Sequence, residues 1–171
     1  MKRVLLAVGG LSPQIITETL YALAVRRRPA FIPDEIHLAT TGAGADCARL
    51  QLLSDPPGWF HRLRHDYDLP DIRFDEEHIH ILRSADGSAL ADIRTPEDNE
   101  AAADGIIDLV RRLTSDPDTA LHVSIAGGRK TMGFFVGYAL SLFGREQDSS
   151  VACAGFGTVR RLARLFLSRT Q

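Results

Sequence analysis

The chain has 171 residues, of which 44% are apolar and 25% charged, and a formal net charge of −2. This reads as one globular domain over residues 1–171, long enough to bury its own core, and it excludes a general electrostatic affinity for long nucleic acid. Cys47 and Cys153 are the only cysteines and lack CxxC spacing; with no leader pattern and no apolar run of spanning length, a reduced, cytoplasmic, non-membrane protein is expected.

Apolar runs of strand length alternate with segments of helical period. RVLLAVG is a first strand ending in glycines, and SPQIITETLYALAVRRR follows as a helix with Ile15, Ile16, Leu20, Leu23 and Ala24 on one face. Ser12 reads as its cap, Pro13 as its first turn, and the arginines 26–28 as a solvated end that suits the dipole. EIHLATT is a second strand running into a turn and short helix, GAGADCARLQLL. Residues 54–77 carry turn residues with little periodicity, which predicts a helix-containing excursion. HIHIL is a third strand, and a helix begins at about Pro96 with Ile106, Ile107, Val110 and Leu113 as its buried stripe. Asp98, Asn99 and Glu100 fit its cap and first turn. TALHVSIAG is the fourth strand, RKTMGFFVGYALSLFG the next helix, and SSVACAGFG the last strand.

This alternation predicts an α/β, Rossmann-like three-layer fold with a mainly parallel sheet. Ligands of such sheets bind beyond the carboxyl ends of the strands. Three loops fall there, GGLSPQ, TTGAGAD and AGGRKT, all rich in Gly, Ser and Thr. Small residues allow close backbone approach and helix N-termini attract anions, so a phosphate-bearing ligand is expected. Familiar phosphate motifs do not fit. A P-loop needs glycine where Val123 stands and no Arg129 before the lysine, and neither G-x-G-x-x-G nor G-x-S-x-G occurs at the first loop.

Of the 20 basic residues only Lys2 and Lys130 are lysine, so Lys130 stands out against a chain that otherwise uses arginine for positive charge. His78 and His80 alternate on one face of HIHIL and suggest a metal pair. With no third ligand at suitable spacing, no metal site is expected. His122 reads as a satisfied core histidine.

LLAVGGLSPQIITETLYALA, DIRTPEDN and SIAGGRKTMGFFVGYALSLFGREQD resemble the CRISPR-associated ring nuclease family, CARF-domain proteins of type III CRISPR systems, from about Val4 to Asp148. The resemblance implies a homodimer whose ligand is cyclic tetra-adenylate, cut without a cofactor to linear di-adenylate with a 2′,3′-cyclic phosphate, which ends the antiviral signal. By the same resemblance Ser12 and Lys130 are catalytic. Gly127, Gly128, Arg129 and Thr131 line the phosphates with Gly10, Leu11 and Gln14 of the first loop, Thr41 and Gly42 lie nearby, and Arg94 of DIRT is a further contact.

The chemistry suits these residue types. The ribose 2′-OH is the nucleophile, so the protein has to align it with the leaving 5′ oxygen and stabilise charge on the phosphorane-like transition state. Lys130 is assigned to that charge and to the leaving oxygen, Ser12 to positioning. The alternatives are plainer: Ser12 as an ordinary cap and Lys130 as a solvated helix-start residue, in a sensor that binds the ring without cutting it or in an unrelated nucleotide-binding α/β protein. After Asp148 the sequence departs from the family, and Arg160, Arg161, Arg164 and Arg169, interleaved with Leu162, Leu165, Phe166 and Leu167, read as an amphipathic helix or a divergent strand.

Overall fold

A computed structural model describes residues 1–55 and 58–151. The arginine-rich terminal pattern, Cys153 and most of the predicted last strand lie outside the described residues. In chain order the elements are β1 (Lys2–Val8), α1 (Ile15–Tyr21), β2 (Glu35–Thr40), α2 (Gly42–Ala48), α3 (Trp59–Asp66), β3 (Ile79–Ile81), α4 (Pro96–Leu113), β4 (Thr119–Ser124), α5 (Lys130–Phe143) and β5 (Ser149–Val151). π-Helical turns, Ala22–Arg26 and Arg49–Leu53, extend α1 and α2, and a 3₁₀ turn, Glu76–His78, leads into β3.

The described strands form one sheet, all parallel, in the order β3-β2-β1-β4-β5. β1 is apolar almost throughout rather than alternating because helices cover both faces. Leu5 and Ala7 pack with Ile36 and Leu38 of β2, Ile16 and Leu20 of α1, Ala45 of α2 and Phe60 of α3. Val4, Leu6 and Val8 pack on the other face with Leu121 and Val123 of β4, Ile106 and Val110 of α4, and Met132 and Val136 of α5. The result is the expected α/β three-layer fold, with β1 at the centre of both cores.

Three local expectations change. Ser12 does not cap α1: the helix starts at Ile15, Gln14 holds the cap position without a side-chain bond, and the Ile16 amide donates to Pro13 O at 3.1 Å. The proline-initiated turn closes the helix start, so Ser12 stays exposed and makes no hydrogen bond to the described residues. In α4 the buried set is Ala102, Ile106, Leu109 and Val110, with Ile107 and Leu113 only half-buried, because the packed stripe turns towards α5 and the sheet. HIHIL keeps only Ile79–Ile81 as strand, since Asp75 accepts from the Glu77 amide at 2.9 Å and draws Glu76–His78 into a turn. The start of α4 forms as expected, as a reciprocal capping box: the Asp98 amide donates to Thr95 Oγ1 (3.1 Å) and the Thr95 amide to Asp98 Oδ2 (2.9 Å).

Candidate functional site

β1 and β4 are neighbours at the middle of the sheet, yet their following helices leave to opposite faces, α1 to one core and α5 to the other. The two loops therefore start side by side and lead to opposite faces, a topological switch point at which an open α/β sheet is expected to hold its ligand in a crevice. The first carries Gly10, Leu11, Ser12 and Gln14. The second carries Gly127, Gly128 and Arg129, and ends at Lys130 and Thr131 in the first turn of α5.

Glycine holds these loops together. A Cβ on Gly127 would lie 2.2 Å from Val8 O and 3.0 Å from Ile15 Cγ2, so the second loop is pressed directly onto the end of β1. Gly128 turns the chain into α5 with φ of +72°, a conformation that costs L-residues energy. The loop after β2 closes in the same way, since a Cβ on Gly44 would approach Gly10 O to 2.8 Å. Buried hydroxyls complete the joints: Thr40 donates to Gly9 O at 2.9 Å, and Thr19 of α1 meets Ser124 of β4 at 3.2 Å.

A fourth segment, between β3 and α4, enters from the side. The Gly42 amide donates to Leu90 O at 2.8 Å. Asp92 receives Arg129 Nη2 at 2.9 Å on both carboxylate oxygens and Arg94 Nε at 3.0 Å. Hydrogen bonds from Arg129 first, then Arg94, depress the Asp92 carboxyl to about 2. Arg129 is thus charge-compensated, whereas Lys130 has no ion-pair partner among the described residues. Its ammonium and the first-turn amides of α5 reinforce one another as an anion-attracting end.

The sequence-predicted residues divide by what they are free to do. Gly10, Leu11, Ser12, Gly127, Gly128, Arg129, Lys130 and Thr131 all belong to the two loops flanking the crevice. Leu11 is 66% exposed. Thr41 is buried, and its hydroxyl accepts the Gly44 amide at 3.3 Å as the cap of α2, so Thr41 and Gly42 shape the loop with polar groups already engaged. Gln14 sits behind the loop and lines a concavity of about 540 Å³ with Thr17, Gln51, Trp59 and Arg62. Arg94 is held by Asp92 beside Arg129.

Asp92 was not singled out from the sequence; it lies 37 positions from Arg129 and no local pattern announces the pair. The histidine reading also changes. β2 brings Glu35 and His37 beside His78 and His80, so the third group absent from the HIHIL spacing is supplied across the sheet. The signal was two x-His alternations on neighbouring strands. His122 is only half satisfied: Nδ1 meets Ser149 Oγ at 2.7 Å, while buried Nε2 has no partner among the described residues.

No helix among the described residues is long and apolar enough to cross a membrane. No curated protein matches the chain. Among solved structures it resembles Enterococcus italicus Csm6 bound to cyclic hexa-2′-fluoro-hexa-dAMP, at 12% identity and a TM-score of 0.52, covering 89% of this chain and 33% of that one. A Listeria monocytogenes protein described as a UDP-N-acetylglucosamine 2-epimerase aligns at 16% identity and a TM-score of 0.39, over 89% of this chain and 31% of the other. The chain thus spans about a third of the length of each, and the Csm6 likeness is one of fold. A family model described as CRISPR-associated protein NE0113 matches residues 12–151. Those residues take in α1 to β5 and both crevice loops from Ser12 onward, and the chain belongs to this CRISPR-associated family, in agreement with the resemblance its motifs carry.

Proposed function

We propose that the protein binds cyclic oligoadenylate, with cyclic tetra-adenylate as its substrate, and cleaves it without metal to linear di-adenylate ending in a 2′,3′-cyclic phosphate. Cleavage would switch off type III CRISPR signalling. The observation that carries this reading is the pairing at the switch point: exposed Ser12 on one loop and Lys130, without an ion-pair partner among the described residues, at the α5 N-terminus on the other.

The ring's own 2′-OH attacks the adjacent phosphorus and gives up its proton to solvent water, the O2′–P bond forms as the P–O5′ bond breaks, and the 5′ oxygen takes a proton. No protein nucleophile is required. Glycine-lined loops let the phosphodiester approach the backbone, α5 amides and Lys130 bear on the developing charge, and Lys130 is the proton source for the leaving oxygen. Ser12 orients the 2′-OH and the non-bridging oxygen. Arg129, tied to Asp92, fixes the loop more than it adds net charge.

A ring of repeating units fits a two-fold dimer that presents the same crevice twice. Phe134, Tyr138 and Leu142 support this, lying on one stripe of α5 at 67%, 49% and 54% exposure, with Phe134 and Tyr138 stacked at 6.2 Å. Such a stripe beside the crevice suits a homodimer interface in which the second copy completes the site.

The alternative is a sensor or sponge that binds without cutting, and it is favoured by the cyclic nucleotide analogue bound to the fold relative Csm6. Incubation with cyclic tetra-adenylate in excess EDTA, with products resolved by mass spectrometry, separates the two. Linear di-adenylate with a cyclic phosphate end, lost in Lys130→Ala while binding persists, supports the nuclease. An intact, protein-bound ring makes it a sensor.

A further inference from the structure

The parallel register sets Glu35 of β2 opposite Val4 and His37 opposite Leu6, while His80 of β3 lies opposite Ala39. All three therefore share the face on which α4 and α5 pack. Buried imidazoles are unusual there, because this layer is otherwise aliphatic. Glu35, His37 and His78 have side chains only 7%, 12% and 11% exposed, and each brings a ligand atom within 4.8 Å of the other two. Glu35 Oε2 and His37 Nε2 are 3.3 Å apart. That is the ligand–ligand separation of a tetrahedral ion with bonds of ~2.0–2.1 Å, roughly 3.3–3.5 Å.

We propose that Glu35, His37 and His78 form a binding site for a divalent transition-metal ion of the zinc type, structural in role and remote from the ring crevice. Two imidazoles and one carboxylate are a donor set that suits such ions and leaves a fourth position to solvent. The surrounding bonds have the form that orients metal ligands. His78 Nδ1 is 2.7 Å from Asp75 Oδ1, which directs Nδ1–H to the carboxylate and leaves Nε2 as the donor; His37 Nδ1 is 2.8 Å from His80 Nε2. Asp75 is itself fixed by the Glu77 amide at 2.9 Å.

A cation already belongs in this place. Arg73 holds Glu35 Oε1, and the Lys2 ammonium lies 2.6 Å from Oε2, the same oxygen that faces His37. Lys2 is 41% exposed, so it can swing to solvent when a doubly charged ion takes Oε2. A metal here clamps the turn before β3, and with it the edge strand, to β2. Glu35 opens β2 while the crevice loops follow its other end, roughly 15 Å away at 3.3 Å per residue. The bound ion therefore takes no part in ring chemistry.

The test titrates the full chain, stripped with EDTA and dialysed, with Zn²⁺ alone by calorimetry, and follows thermal unfolding with and without the ion. One equivalent per chain and a raised Tm are expected. His78→Gln should abolish uptake, Asp75→Asn should weaken it about 10–100-fold, and Lys2→Met should tighten it, because its competitor is gone. Melting of each variant in EDTA establishes that it folds. Should His78→Gln not fold, Co²⁺ absorbance on the unaltered chain decides: intensified d–d bands of a low-coordinate nitrogen–oxygen site support the proposal, and the weak bands of hydrated Co²⁺ alone, or thiolate charge transfer, overturn it. No uptake by the unaltered chain, or uptake unchanged in folded His78→Gln, also overturns it.

Discussion

Arg129 and Asp92 form a two-point pair, with Arg129 Nη2 2.9 Å from each carboxylate oxygen, that fastens the loop before α5 to the segment between β3 and α4. The pair is partly exposed, so its worth to folding is small. Its consequence lies in where the second loop is held. Asp92→Ala should leave Tm nearly unchanged yet lower ring cleavage about tenfold or more, since small displacements of positioning groups are costly to rate. The carboxyl is depressed to about 2, so the pairing is fully present above its unfolded value near 3.8 and is lost only as pH falls through about 2. Cleavage assayed between pH 5 and 8 should show no inflection from this pair, and unchanged cleavage in Asp92→Ala would remove its positioning role.

Lys130 carries the sharper expectation. Its charge has no ion-pair partner among the described residues and stands at the first position of a 14-residue helix, so removing it breaks no ion pair there. Lys130→Ala should preserve the melting curve and reduce single-turnover cleavage about 10²–10³-fold. Lys130→Arg should recover binding more fully than rate, because a guanidinium keeps the charge but gives up a proton far less readily. A full rate in Lys130→Ala would leave the ammonium with no catalytic part.

The layered fold was legible because its cause is local: apolar runs of strand length separated by helical periods leave few topologies once right-handed crossovers are imposed. The position of the glycine-rich loops at the strand ends was legible for the same reason, as such loops are visible in one dimension. Asp92 and the Glu35–His37 pair were not, because each meets its partners only through sheet order or across a long loop. Ser12 shows the opposite error. A Ser-Pro before an apolar period is a sound capping signal, but the Pro13 turn carried the helix start two residues further and left the hydroxyl exposed.

Gly127 should be the least replaceable glycine of the crevice. A methyl group there meets Val8 O at 2.2 Å and Ile15 Cγ2 at 3.0 Å, and backbone at the end of a central strand cannot yield. Gly127→Ala is expected to cost about 1–3 kcal/mol in urea unfolding, the range for overpacking a tight site. Gly137 is its control: a Cβ there meets nothing within 4 Å, so Gly137→Ala within α5 should stabilise by about 0.5–1 kcal/mol. Equal effects from the two would contradict the close approach at Gly127.

The α5 stripe gives a prediction about assembly. If two copies meet across Phe134 and Tyr138, Phe134→Glu with Tyr138→Glu should yield a monomer in analytical ultracentrifugation, with little loss of secondary structure, since both side chains are exposed. Ring affinity should fall with it, because one ring then meets one crevice. An unaltered chain that sediments as a monomer at all concentrations would exclude the dimer reading directly.

His122 contributes to the acid sensitivity of the fold. It is 1% exposed in β4, and burial, aided by the nearby Arg27, lowers its imidazole to about 4. The unfolded chain takes up a proton near pH 6.5 while the folded one resists until about pH 4, so the unfolded state binds more protons between those values. The contribution of this residue is therefore fully present above pH 6.5, is lost as pH drops from 6.5 to about 4, and brings no further penalty below that. The two values imply a loss of about 3 kcal/mol at most, from 1.36 kcal/mol per pKa unit. His122→Gln keeps a group that can reach Ser149 Oγ but cannot be protonated, so its urea midpoint should be flatter than that of the unaltered chain from pH 7 to pH 4.5. Parallel curves would mean that the imidazole is not held neutral by burial and that the half-satisfied ring is more accessible to water than its surroundings imply.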